Sequence, residues 1–139
     1  HHPERGEPQG QTDLSALMSA MAPKLHDETF VFCTCKDNPT PIDEALMRFQ
    51  EAEGATWILP QAIADRHHLP YQHTWQMITL TVHSSLEAVG FLASVLPALA
   101  REGISTNVVS AFYHDHLFVP AAQAQHALSI LQSLSNSEE

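Results

Sequence analysis

An α+β fold is predicted by two features of the chain: the order of its strand and helix patterns, and an internal repeat. Apolar residues alternate along Ile78–Val82, as in a half-buried strand, and then recur at helical spacing over Glu87–Glu102. Two further strands and a last helix follow, so residues 75–135 read as β-α-β-β-α. This is the order of a ferredoxin-like (βαββαβ) unit without its final strand, an antiparallel sheet covered by helices.

The repeat relates the two halves of the chain. Thr56–Ala64 and His116–Ala124 each contain three apolar strand residues, then Pro, then Ala four residues after the Pro, at a spacing of 60 positions. A repeat of this length predicts two related supersecondary units. We therefore expect an N-terminal half at 12–74 and a C-terminal half at 75–135.

Local signals predict the remaining elements. Thr12 or Asp13 is the expected N-cap of a first helix, whose length Pro23 limits. Gly103 is the expected C-cap of the helix at 87–102. The other predictions are a loose tail at 1–11, a strand at 29–35, a helix at 42–53, a strand at 56–59, a helix opened by Pro60, strands at 104–112 and 116–119, a helix opened by Pro120, and a frayed end at 136–139.

Composition narrows the classes of partner. The 139-residue chain has a net charge of −10 with only six Lys and Arg, which argues against nucleic acid or an anionic membrane as partner. No window of about 18 apolar residues predicts a membrane span. Cys33 and Cys35 lie at the edge of disulfide reach in a strand, which favours two free core thiols and a cytoplasmic protein. His1 and His2 resemble purification-tag residues and are left out of the functional interpretation.

The junction after Val82 is the first candidate site. Ser84-x-x-Glu87 is a capping-box pattern, in which the Ser oxygen accepts from the first helical amides. Free amides at a helix start also favour an anionic group. The pattern therefore allows either a capped connection or a binding site.

Catalytic patterns are weak. His83 and Ser84 are adjacent in an extended segment and point to opposite faces, so His83 is poorly placed as a base for Ser84. The chain has neither a Gly-x-Ser-x-Gly elbow nor a Gly-rich phosphate loop, which disfavours an enzyme and predicts no cofactor. His114-x-His116, beside Tyr113 and Asp115, suits either a transition metal or a solvated turn.

Two segments carry a resemblance to a known family. Glu87–Ala93, followed by Leu99–Ser105, resembles the ACT-domain pattern, in which an acidic residue and Gly open the first helix and Gly-Ile-Asn opens the second strand; Ser105 stands where the pattern has Asn. Val82–Gly90 together with Tyr113–His116 resembles more closely a bacterial ACT-like family of unassigned function with two ACT-like halves.

The resemblance implies a non-catalytic regulatory module that binds a small ligand such as an amino acid at an interface between modules, and a homo-oligomer. Carried over by position, the implied ligand-binding residues are Glu87, Ala88, Val89, Gly90, Ser105 and Asn107. An ACT-like oligomerisation or protein-interaction module without a small ligand is the alternative. A metal-dependent function at Tyr113–His116 is the third interpretation.

Overall fold

The computed structural model describes residues 13–36, 42–85 and 88–137. Its strands are β1 (Pro23–Cys35), β2 (Met47–Gln50), β3 (Ala55–Pro60), β4 (Trp75–Leu80), β5 (Asn107–Ser110) and β6 (Asp115–Pro120). Its helices are α1 (Leu14–Ser19), α2 (Gln61–Arg66), α3 (Phe91–Arg101) and α4 (Ala124–Ser137), with a 3₁₀ turn at Ala121–Gln123. This mixture of antiparallel strands and helices confirms the predicted α+β, ferredoxin-like class.

The described chain divides into two compact units. Unit 1 holds the described residues up to His26 and those from Met77 onward, and unit 2 is Asp27–Gln76. The predicted boundary near residue 75 stays a prediction. The predicted tail at 1–11 lies outside the described residues and also stays a prediction. Among the described helices, none is both long and apolar enough to cross a membrane.

Unit 1 places three helices against a small sheet. Its strands neighbour one another in the order β1, β4, β6, β5, where β1 contributes its first residues. Helices α1, α3 and α4 pack against one another. The core that they share with the sheet is formed by apolar side chains, among them Leu17, Met21, Ile78, Leu80, Phe91, Val95, Leu99, Leu117, Val119, Ala127 and Leu131.

Helix α3 begins later than predicted. Gly90 is its N-cap, in the left-handed region at φ 86°, and no side chain caps the helix. The predicted start at Glu87 and the Ser84 cap are therefore wrong: the Ser84 hydroxyl donates instead to Asp115. Val89, which lies within the predicted helix, is 83% exposed because it precedes the observed one.

The other end of α3 follows the prediction. Gly103 has φ 72°, the amide of Gly103 donates to the Ala100 carbonyl, and that of Ile104 donates to the Leu99 carbonyl. This pair of bonds is a Schellman motif. Leu99 and Ile104 are both buried, which supplies the apolar contact that usually accompanies such a cap.

Unit 2 contains a strand where a helix was predicted. Its strands neighbour one another in the order β2, β3, β1, and β2 lies within the predicted helix at 42–53. That prediction is wrong because β2 is a short edge strand whose side chains are mostly exposed. Because so little of it is buried, burial does not require its sequence to have the apolar spacing that would indicate a strand. Arg48 of β2 lies over the Trp57 ring of β3 instead of on a helix face.

The internal repeat extends to the pairing register. In unit 2, Met47 pairs with Ile58 and Gln50 with Ala55. The pairs 60 residues later, Asn107 with Phe118 and Ser110 with Asp115, are those of β5 and β6 in unit 1. Strands β3 and β6 also have the same burial pattern, and each ends at a Pro that caps the following helical turn. The two hairpins are therefore copies of one supersecondary unit.

Candidate functional site

A cleft in unit 1 opens between the start of α3 and the turn that joins β5 to β6. Its volume is about 180 Å³, several times the roughly 30 Å³ that a water molecule takes in the liquid. We call it the α3 cleft. It is lined by Ser84–Ser85, Ala88, Gly90–Ala93, Ser110–Ala111 and Asp115.

Two connections of the fold bring these residues together. After β4 the chain passes through Ser84 and reaches α3 only at Phe91. On the other side, antiparallel pairing places Ser110 at the end of β5 opposite Asp115 at the start of β6. The amide of Ala111 donates to the His114 carbonyl at 2.9 Å and closes the turn. One wall of the cleft is thus the connection from β4 to α3, and the other is the turn between β5 and β6.

The most unusual group in the cleft is the Asp115 carboxylate. Asp115 is only 8% exposed, and Ser84, at 7% exposed, donates its hydroxyl hydrogen bond to Asp115 Oδ2 at 3.3 Å. Among the residues that the structure describes, no Lys, Arg or His nitrogen forms an ion pair with this carboxylate, and Oδ1 has no hydrogen-bond donor. Burying a carboxylate is costly unless it is paired, and Asp115 lines the cleft, so it is a candidate to bind a cationic group that enters there.

The facing wall offers hydrogen-bond donors. The first amides of any helix have no acceptor within the helix. In α3 the first amide that bonds within the helix is that of Ser94, which donates to the Gly90 carbonyl, so the amides before it are available to a ligand. Residues Gly90–Ala93 line the cleft. The helix dipole adds partial positive charge at the same end, so this wall suits a carboxylate or another anion.

The predicted ligand-binding residues are only partly brought together. Ala88 and Gly90 line the cleft, whereas Val89 is exposed beside it. Glu87 lies outside the described residues.

Ser105 and Asn107 are exposed and do not line the α3 cleft. Asn107 begins β5, three residues before Ser110, and is therefore about 10 Å along the strand from the cleft. The binding role of all six residues stays a prediction.

Asp115 was missed as a cleft residue, although the repeat contained a signal for it. The repeat aligns Asp115 with Ala55, a residue that is 3% exposed at the same strand position of unit 2. A charged residue that replaces a buried Ala in a repeated strand is a candidate for function, because burying it is costly. The sequence pattern at Tyr113–His116 instead suits a metal site or a solvated turn.

The His residues of unit 1 make two kinds of contact: His26 and His116 form hydrogen bonds with Thr79, and His83 packs against Tyr113. Thr79 Oγ1 lies 2.8 Å from His26 Nε2 and 2.9 Å from His116 Nδ1. Burial lowers the pKa of His116, His114 and His26 lower it further, and Asp115 acts in the opposite direction. The His83 ring stacks at an angle on Tyr113, with 5.4 Å between ring centroids. In the described part of the chain, no three His, Cys, Asp or Glu side chains are placed to hold a metal ion.

Comparison with known proteins assigns the family. Residues 9–76 match one ACT-domain family model, and residues 72–133 match a second. Comparison with curated proteins gives no match. A solved protein of unknown function from Vibrio cholerae, described as a possible transport protein, is 39% identical, with a TM-score of 0.78 over 88% of this chain and 95% of its own.

Two more distant structures share the fold. A protein from Agrobacterium tumefaciens is 15% identical, with a TM-score of 0.68 over 81% of this chain and 87% of its own. The regulatory subunit of aspartate kinase from Thermus thermophilus, in its ligand-free form, is 11% identical, with a TM-score of 0.62 over 83% of this chain and 97% of its own. With two matches in tandem that together run from residue 9 to residue 133, this chain belongs to the ACT-domain family.

Proposed function

We propose that this protein is a regulatory module that binds a free amino acid in the α3 cleft of unit 1. ACT domains are typically regulatory and ligand-binding. The observation that carries the proposal is the pairing of opposite chemistries in one cleft: helix-start amides at Gly90–Ala93 and a buried carboxylate at Asp115. An amino acid carries a carboxylate for the first wall and an ammonium group for the second.

Titration of the twenty amino acids, followed by calorimetry and by thermal unfolding, tests the proposal. A ligand present at 100 times its dissociation constant stabilises the folded protein by about 2.7 kcal/mol. We expect one or a few related amino acids to raise the unfolding temperature in this way. If none gives heat or a thermal shift at millimolar concentration, the proposal fails.

Two Ala residues of α3 provide a matched pair of variants. Ala93 lines the cleft and Ala100 does not, although both are exposed and lie two turns apart on the same helix. We expect Ala93→Trp to fill the cleft and abolish binding, and Ala100→Trp to leave it unchanged. Equal binding by both variants would place the ligand elsewhere.

The implied partners at the far end of β5 need their own test. If Asn107 supplies an amide to the ligand, Asn107→Ala weakens binding without changing assembly. Unchanged binding would remove Asn107 from the proposed site and leave the α3 cleft in place.

A second candidate function is that of an interaction module, with assembly of identical copies as its simplest form. It is favoured by large apolar side chains that are exposed near the cleft: Val89, Phe112 and Tyr113. Phe112 and Tyr113 pack edge to face, with 4.9 Å between ring centroids, so they form one apolar surface. Sedimentation analysis of the wild type and of a Phe112→Ser, Tyr113→Ser double variant tests this function. A wild-type mass above that of the monomer, which falls in the variant, would support assembly through these side chains. An unchanged mass would show that they take no part in assembly.

A further inference from the structure

The second oxygen of Asp115 is the starting point. Asp115 lines the α3 cleft and is 92% buried, since 8% of its surface is exposed. Ser84 donates to Oδ2, while Oδ1 has no donor among the described residues. A neutral hydroxyl satisfies one acceptor site of a carboxylate, which has about four. Most of the hydrogen-bonding capacity of this group is therefore left for something that enters the cleft.

A cationic donor is the chemistry that fits such a group. The described residues place no Lys, Arg or His nitrogen in an ion pair with Asp115. A buried carboxylate without a counter-charge is costly, and an ammonium group provides both a positive charge and three donors. Hydrogen bonds between two charged groups are about twice as strong as neutral ones.

The position of unit 2 that aligns with Asp115 carries no carboxylate. The aligned residue is Ala55, which is buried in the core of its unit. Gly54, beside it, lies against the backbone at the end of β1, so that a Cβ at Gly54 would be only 2.9 Å from the Cys35 carbonyl oxygen. At the aligned position unit 2 thus has an apolar side chain, and the residue beside it packs against main chain.

We infer that Asp115 makes the α3 cleft selective for ligands with a protonated amine, and that each chain takes one such ligand, in unit 1. The inference rests on the proposed function, because it names the group that recognises the amine end of the amino acid. Asp115 would contact the ligand directly, and Ser84 would hold the carboxylate in position.

Pairs of ligands that differ only in the amine separate this inference from the proposed function. The probes are L-alanine with propionate, L-valine with isovalerate, and L-leucine with 4-methylpentanoate, alongside the full panel of amino acids. We expect amino acids to bind and their amine-free partners to bind about tenfold to a hundredfold more weakly. Calorimetry should give one ligand per chain. If no amino acid binds, the proposed function itself fails. If amine and amine-free partners bind equally, or if two equivalent ligands bind per chain, the proposed function stands and this inference is wrong.

Asp115→Asn is the matching variant, because the amide keeps the shape of the side chain and an oxygen that can accept from Ser84. We expect it to reduce amino-acid affinity about tenfold or more and to remove the preference for the amine. Asp43→Asn, at an exposed position of unit 2, is the control for the loss of one negative charge.

A ligand-free measurement completes the test. If Asp115 is a costly buried charge kept for binding, Asp115→Asn raises the unfolding temperature of the ligand-free protein, as often happens when a binding group is neutralised. A lower unfolding temperature for Asp115→Asn than for Asp43→Asn would make Asp115 a structural partner of Ser84 and overturn the inference.

Discussion

Thr79 gives the sharpest stability prediction, because its hydroxyl links three strands of unit 1. It lies on β4 and contacts His26 of β1 and His116 of β6 at 2.8 and 2.9 Å. A hydroxyl has one proton and two lone pairs, so Thr79 can donate to one ring while it accepts from the other. Thr79 is 7% exposed, which keeps water from replacing these contacts at the hydroxyl.

Replacing Thr79 by Val keeps the shape of the side chain and removes both hydrogen bonds. Each bond contributes about 1 kcal/mol net, so we expect the free energy of unfolding to fall by about 2 kcal/mol. Thr81→Val is the control: Thr81 is exposed and makes one hydrogen bond, to the Ala22 carbonyl at 2.8 Å, so its loss should cost about 0.5–1 kcal/mol. Thr79→Ser keeps the hydroxyl and should recover most of the difference.

Urea denaturation at pH 8 measures these differences directly, provided that the dependence on urea concentration is the same in all variants. The reasoning is refuted if Thr79→Val is no more destabilising than Thr81→Val, or if Thr79→Ser is as destabilising as Thr79→Val.

Three further predictions concern single positions. The pKa of His116 is lowered from its ordinary value of 6.5, so the His116 ring binds a proton more tightly in the unfolded chain than in the folded one. The folded protein is therefore most favoured above about pH 6.5, where the ring is neutral in both states, and loses stability as the pH falls below that value. His116→Asn should therefore lose less stability than wild type between pH 7 and pH 5 in urea titrations, and an equal loss would contradict this. Gly103→Ala should lower the free energy of unfolding by about 1 kcal/mol, because its φ is positive. Gly54→Ala should lower it further, because the added Cβ would also meet the backbone at Cys35. Thermal unfolding that shows Gly103→Ala to be the less stable variant would contradict this packing argument. Asp13 accepts from the Ser15 amide as the N-cap of α1, so Asp13→Ala should cost about 1 kcal/mol, and an unchanged unfolding midpoint would show that this cap contributes nothing.

The end of α3 and two strands of unit 1 could be predicted from the sequence because their signals are local and strong. The Gly103 cap and the apolar strands around Ile78 and Leu117 each depend on a few neighbouring residues. The match between Thr56–Ala64 and His116–Ala124 correctly predicted a duplicated strand and helix start, since the buried face of each copy must be apolar at the same positions.

The errors occur where contacts outside the segment decide its local structure. Nothing within β2 distinguishes an exposed edge strand from a weak amphipathic helix, because the pairing that fixes it comes from β3, 5 to 11 positions away. At the start of α3, Ser84 has the residue type of a helix cap, but its hydroxyl bonds to Asp115, 31 residues later in the chain.

The same reason explains what could be predicted about the candidate site. A helix start in this region was predicted from the sequence, but it was placed at Glu87, before the Gly90 N-cap of the structure. The carboxylate opposite it was not predicted, since its position in the cleft depends on the β5–β6 turn and on the burial of Asp115 in the folded unit. Extending the 60-residue repeat by one position pairs Asp115 with Ala55, and this comparison points to a role for Asp115 other than metal binding.

The most direct test of the central claim, that the α3 cleft binds an amino acid, is a titration of ¹⁵N-labelled protein followed by amide chemical shifts. The amides of Ala88, Gly90, Ala93 and Ser110 should shift together and saturate with one dissociation constant, while those of unit 2 stay in place. Saturable shifts confined to unit 2, or no saturable shift with any amino acid at millimolar concentration, would contradict the claim.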